Sequence, residues 1–485
     1  MSDTADDFRT AARSAAELVS DYLDAVPGGP VWQPMDEADR QALLDLPLPA
    51  DGMPLAGLLE VIGSQLMTAP MGNGHPRFFG WVNSAPAPAG VLATLAAAAM
   101  NPSSAGGDHA DVHLERAVVR WIAELVGFPH PAGGGILTSG TSMATILCLA
   151  AARNRAARLA GHDLREDGLA GLPPLVAYAT AETHSCVRKA VELLGLGSRH
   201  LRTVATDAEG RLDPAALAAA VAADRAAGLL PFLAVASAGT VGTGVVDAFD
   251  PIADVCAAEG LWLHVDGAYG AFGVLDPGLA DRYAGMDRAD SLALDPHKWL
   301  GVPVDCGCAL VRDTDELRGT FSLVPSYLRD EAAGALGWFS EYGMEQTRPF
   351  RSRRRRADRP EGRHHRTLVG RDPGAPELDR TGPAPGRAGR GRPGAGAARP
   401  GAHLDRGLPV PARRPRAHRR REPRTAGRRP AARAGLCYGR ALPGARDASG
   451  VSAERHHHRS RPGTAVVRSP QRRTGTDGAS DRFMI

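Results

Sequence analysis

From about His75 to Ser352 the chain alternates short apolar runs with alanine-rich stretches of helical spacing, and this alternation limits the possible folds more than any other feature. Residues 175–178, 232–237, 261–265 and 291–294 read as buried strands, and residues 213–227 and 251–259 as helices between them. Consecutive strands joined by helices predict a mostly parallel sheet covered on both faces, an α/β domain, because parallel strands need a crossover that a helix supplies. Ligands of such sheets bind beyond the carboxyl ends of the strands. Ahead of this region, residues 8–26, 36–44 and 55–67 carry helix-spaced apolar residues, the first stretch stopping at Pro27-Gly28-Gly29.

The alternation ends at Ser352. Residues 1–352 carry about 24 Lys and Arg against about 43 Asp and Glu, whereas residues 353–485 carry about 33 Arg against about 11 acids, so the net charge of +3 describes neither part. The 133 residues of the tail contain no lysine and are filled mainly by Arg, Pro, Gly and Ala. Neither a 3.6-residue nor a two-residue period persists there, so too little apolar surface is available to offset the entropy of ordering. A nucleic-acid arm would mix lysine with arginine and interleave aromatics, which this tail does not, and that argues against a nucleic-acid partner. A disordered linker is a second reading. The reading we prefer is out-of-frame translation of GC-rich coding DNA, since the first 352 residues are themselves rich in the amino acids of GC-rich codons and poor in lysine.

Six cysteines (Cys148, Cys186, Cys256, Cys306, Cys308 and Cys437) lack the paired spacing of a zinc site and read as reduced thiols of a cytoplasmic protein, with no metal expected. The acidic, polar amino terminus is neither a secretory signal nor a transit peptide, and the alanine-rich stretch 85–100 is too short to span a membrane.

Only two lysines occur, Lys189 and Lys298, and the second sits in Asp295-Pro-His297-Lys298-Trp299 just after a predicted strand. It is either a surface lysine or an amine that attacks a carbonyl, a reaction closed to arginine. Asp266 ends the strand before Gly267-Ala268-Tyr269-Gly270 and could cap that turn or pair with a protonated ring nitrogen. Thr141 and Ser142 precede a helical stretch, where they serve as caps or as part of a phosphate site. His184 follows another strand and is either structural or placed to stack on a flat ring. Amine, carboxylate, helix terminus and imidazole together describe a pyridoxal phosphate (PLP) pocket.

The runs LWLHVDGAYGAF (261–272) and ADSLALDPHKWLGVPVDCGCALV, with His75-Pro-Arg-Phe78-Phe79-Gly80, residues 133–145, Thr183-His184-Ser185 and residues 321–328, resemble the PLP-dependent group II decarboxylases, which include the aromatic-L-amino-acid and glutamate decarboxylases. The resemblance implies a fold-type I PLP-dependent transferase-like large domain, an amino-acid substrate and a homodimer. It implies catalytic roles for Lys298, which would bind the cofactor aldehyde, for His184, which would stack on the ring, and for Tyr327, which would protonate Cα. It further places Asp266 at the pyridine nitrogen, Ala268 beneath the ring, Thr141, Ser142 and His297 at the phosphate, and Thr240 near the cofactor. The tyrosine at position 327 favours decarboxylation over the aldehyde synthesis of phenylalanine-bearing relatives. The chain then divides into an amino-terminal helical segment (1–74), a PLP-binding large domain (75–320), a mobile loop and the start of the carboxy-terminal region (321–352), and the tail (353–485). The family's small carboxy-terminal domain is missing, its place taken from Arg353 by the tail, so impaired activity is expected. A non-catalytic, decarboxylase-like protein with a basic tail stays open beside the enzyme. Substrate choice is also open, although Phe78, Phe79 and Trp81 favour a flat side chain.

Overall fold

The apolar runs form the centre of one sheet in the computed structural model, which describes residues 5–129, 134–323 and 337–352. Its strands are β1 (Gly135–Thr138), β2 (Leu175–Ala179), β3 (Leu201–Thr203), β4 (Leu230–Ser237), β5 (Trp262–Asp266), β6 (Ser291–Leu294) and β7 (Gly307–Val311). Their order across the sheet is β1-β7-β6-β5-β4-β2-β3. Neighbours from β6 through β3 pair in parallel, while β7 runs antiparallel to both β1 and β6. The sheet is thus mostly parallel, as the alternation predicts.

Both faces of the sheet are covered, which is why its strands read as unbroken apolar runs rather than as alternating ones. The helices are α1 (Ala5–Ala25), α2 (Glu37–Leu44), α3 (Leu55–Val61), α4 (Pro88–Met100), α5 (Ala110–Val126), α6 (Thr141–Leu159), α7 (Leu164–Asp167), α8 (Ser185–Leu193), α9 (Pro214–Ala226), α10 (Phe249–Glu259), α11 (Pro296–Trp299) and α12 (Thr314–Phe321). Successive strand residues point to opposite faces. Val176, Tyr178, Leu292 and Leu294 therefore join Ile122 of α5, Leu217 of α9 and Ile252 of α10 in one core. Leu175, Ala177 and Ala293 join Leu147 of α6, Val187 of α8 and Leu317 of α12 in the other.

The parallel strands all present their carboxyl ends at one edge, and because β7 reverses direction between β6 and β1, the end of β1 lies there too. Six connections leave from this edge, after β1 to β6, and those after β1, β2, β4, β5 and β6 bear on the site. Gly307, at the start of β7, packs so closely there that a Cβ would stand 2.4 Å from the carbonyl carbon of Gly140.

Residues 337–352 pack back onto this domain through Arg348, which is fully buried. Its guanidinium donates to Glu115 Oε1 at 2.5 Å and Oε2 at 3.2 Å, to the Leu137 carbonyl at 2.6 Å and to the Ser104 carbonyl at 2.9 Å. Glu115 Oε1 also accepts the Leu137 amide at 3.0 Å. One buried ion pair thus joins α5, the middle of β1 and the segment just ahead of the tail.

Candidate active site

The expected site residues among those described arrive at the convergent edge from five separate connections. Strand β6 ends at Leu294, and Asp295 and Pro296 turn the chain into the single turn α11 that carries His297 and Lys298. Lys298 is therefore on a short helix after the strand, with its Nζ 3.1 Å from Asp295 Oδ2. The other carboxylate oxygen of Asp295 accepts the Thr141 amide at 2.7 Å. His297 is fixed by Nδ1, which lies 2.8 Å from the Cys306 carbonyl oxygen.

Asp266 ends β5, with Ser237 and Ala293 as its cross-strand neighbours in β4 and β6. Its Oδ1 accepts the Ala268 amide at 3.2 Å. Burial pushes its carboxyl above the ordinary aspartate range, partly offset by the Ala268 amide and by His184 and Lys298 nearby. A carboxyl with a raised folded-state pKa stabilises the fold fully below its unfolded pKa and loses that contribution as pH rises through the folded value. Above the unfolded pKa this buried carboxyl therefore weakens the cofactor-free chain. We expect Asp266→Asn to raise the melting temperature of that form at pH 7 and to flatten its fall with rising pH; a lower melting temperature at pH 7 would contradict this.

Helix α6 begins at Thr141 after Gly140, whose φ of +140° favours glycine and which has no side chain to cap the helix, so that the Thr141 amide goes to Asp295 instead. The Thr141 hydroxyl is buried and has no hydrogen-bond partner. A buried hydroxyl left in this way at a helix terminus suits a hydrogen-bond acceptor such as a phosphate oxygen. His184 is the N-cap of α8, where Nδ1 accepts the Cys186 amide at 3.3 Å while the ring stays exposed. Thr240 Oγ1 lies 2.7 Å from Thr243 Oγ1 and accepts the Val245 amide at 3.2 Å, bracing the turn after β4.

Thr141, Ser142, His184, Thr240, Asp266, Ala268, His297 and Lys298 all line one cavity of about 320 Å³. This lies at the small end of the usual range for ligand pockets. Tyr327 lies outside the described residues. Phe78, Phe79 and Trp81 do not contribute to the lining, and Phe79 and Trp81 are largely exposed. Asp295, Glu182 and Cys186 do line it and were not expected. Of these, Asp295 had a sequence signal, a carboxylate three residues before the reactive lysine; Cys186 had none, because it meets Asp266 only across the fold.

The donor set fits pyridoxal phosphate: an amine, a buried carboxylate with no cation in ion-pair contact among the described residues, an unpartnered hydroxyl at a helix terminus and an exposed imidazole share one cavity. Comparison with known proteins agrees. Residues 37–354 match the pyridoxal-dependent decarboxylase conserved domain. An aromatic-L-amino-acid decarboxylase of Bacillus atrophaeus is 32% identical over 72% of this chain and 71% of its own length. An acidic amino acid decarboxylase of Bos taurus is 34% identical over 61% of this chain and 56% of its own. The crystal structure of Oryza sativa TDC with PLP and tryptamine superposes with a TM-score of 0.67 at 32% identity, covering 72% of this chain and 73% of that one.

Proposed function

Since the chain belongs to the pyridoxal-dependent decarboxylase family and is a PLP-dependent carboxy-lyase, we propose that it removes the α-carboxylate of an L-aromatic amino acid, releasing the amine and carbon dioxide. The observation that carries this reading is the gathering of eight separately expected residues around one cavity. When bound, pyridoxal phosphate supplies an aldehyde for the substrate amine and a ring that accepts the electron pair left at Cα.

The chain's own residues do the rest. Lys298 is the amine that would hold the cofactor through its aldehyde carbon. Asp266, held by the Ala268 amide, would keep a proton on the ring nitrogen, a charge pairing that would also relieve its burial. Thr141, Ser142 and His297 would hold the phosphate with the terminus of α6. His184 would stack on the ring, and Ala268, with only a methyl, would leave room for it. Thr240 borders the cofactor from the turn after β4. By resemblance, Tyr327 delivers the proton to Cα.

An aromatic substrate is favoured over an acidic one by charge. Among the described residues lining the cavity there is no arginine, whereas Glu182 and Asp295 are both present, so a second substrate carboxylate would meet repulsion. The test is to incubate the cofactor-loaded full chain with L-tryptophan, L-tyrosine or L-glutamate and identify products by mass spectrometry. Tryptamine or tyramine with carbon dioxide is expected. Aldehyde with ammonia would make the chain an aldehyde synthase, and turnover of glutamate alone would overturn the aromatic assignment.

The functional unit of this proposal is a homodimer. Large apolar side chains are exposed along the amino-terminal segment and α4, among them Trp32 (64%), Leu48 (95%) and Leu92 (69%), and a partner subunit would cover them. Sedimentation analysis is expected to give twice the chain mass. No helix among the described residues is long and apolar enough to cross a membrane. For residues 353–485 the out-of-frame reading stands as part of the proposal, and the coding DNA tests it: another frame after codon 352 should open onto patterned sequence.

A further inference from the structure

His184, Cys186 and Asp266 offer three different metal-ligating atoms that lie within 4.8 Å of one another. We propose that the cofactor-free chain binds one zinc-like divalent ion on these three side chains, and that this ion and the cofactor exclude each other. The first half stands on the geometry of the cluster; the second rests on the functional reading above, which gives His184 and Asp266 to the cofactor ring.

The donor set is one that zinc accepts: imidazole nitrogen, thiolate sulfur and carboxylate oxygen. Metal bonds of about 2.0–2.3 Å in a tetrahedron place ligand atoms about 3.3–3.8 Å apart. Cys186 Sγ already lies 4.0 Å from Asp266 Oδ2, so closing the site needs a contraction of about 0.2–0.7 Å for that pair and of at most about 1.5 Å for the others. One ligand is the N-cap of α8, one lies in its first turn and one ends β5. Three protein ligands leave a fourth position facing the cavity.

Electrostatics points the same way. Cys186 and Asp266 are both buried, and neither has a cation within salt-bridge distance. Each therefore carries the cost of burying a polar group without a charged partner in contact. A dication at this point would offset both burdens, drawing the proton from sulfur and pairing with the carboxylate. The imidazole would give up only the long hydrogen bond from the Cys186 amide, and Thr145 Oγ1, 3.9 Å from Sγ, remains beside the bound thiolate. Spacing alone could not show this site, because Cys186 and Asp266 are 80 positions apart.

The experiment uses the full chain freed of cofactor. Cobalt chloride should produce one equivalent of a thiolate charge-transfer band, and zinc chloride should displace it. Cys186→Ser should lose the band and at least tenfold in affinity. Zinc should also protect Cys186 of the unmodified chain from alkylation, as mapped by mass spectrometry, a readout that needs no variant to fold. Absence of the band, its persistence in the serine variant, or unchanged alkylation of Cys186 would each overturn the metal site. Saturating zinc should lower cofactor uptake in equilibrium dialysis at least tenfold, with recovery on chelation; uptake indifferent to bound zinc would overturn the exclusion. A chain that binds cobalt through Cys186 yet takes up no pyridoxal phosphate under any condition would instead refute the functional reading and leave the metal site standing.

Discussion

Lys298→Arg is expected to lower amine formation by roughly 10³-fold or more, the scale on which removal of a reacting side chain acts. The substitution keeps the positive charge and leaves a partner for Asp295, now 3.1 Å from the lysine nitrogen. It removes the one property that the site needs at this point, an amine able to lose its proton and attack a carbonyl. Retained charge with lost reactivity separates chemistry from folding, so the cofactor-free melting temperature should stay close to that of the unmodified chain. Borohydride reduction followed by peptide mass spectrometry should place the cofactor on Lys298 in the unmodified chain and nowhere in the variant. Near-normal turnover by the arginine variant would remove Lys298 from its role.

Arg348→Met is expected to destabilise the chain by about 3–5 kcal/mol, because it leaves the fully buried Glu115 carboxylate without its countercharge. The loss is larger than that of a surface ion pair, whose removal changes stability by about 0–1 kcal/mol. Glu115→Leu combined with Arg348→Met should recover much of it, since apolar pairs of similar volume often replace buried ion pairs at little cost. Recovery will be incomplete: the Leu137 and Ser104 carbonyls both lose a donor. Denaturant titration of the two variants measures both effects, and a single variant weaker by less than about 1 kcal/mol would show that the pair is not a strut. Leu137 stands just ahead of Ser139 to Ser142, so the single variant should also bind the cofactor less tightly.

Much of this architecture was legible because buried parallel strands leave continuous apolar runs. Strands β4, β5 and β6 lie within about two residues of their expected positions, as do α9 and α10. The three-residue, half-exposed β3 has no such run, and β7 owes its place to an antiparallel pairing that periodicity does not encode. Helix α5 lies outside the expected elements although Val118, Ile122 and Val126 recur every fourth residue, a signal that was present. Within the site, residues of one motif were legible and relations between motifs were not. Asp295 could be noticed beside Lys298, but nothing in the order of residues shows it touching Thr141, 154 positions earlier. The same limit hid the approach of Cys186 to Asp266, and it made the aromatics at Phe78, Phe79 and Trp81 look like pocket walls when they do not line the cavity.

The two oxygens of Asp295 give the backbone amide of Thr141 and the amine of Lys298 a common anchor. Whatever draws the lysine away from that carboxylate changes the charge felt at the first turn of α6, so events at the two ends of the cavity are not independent. The Thr141 amide proton thereby becomes a built-in gauge: its chemical shift, read by NMR on selectively labelled protein, should register when the lysine is engaged and when it swings free.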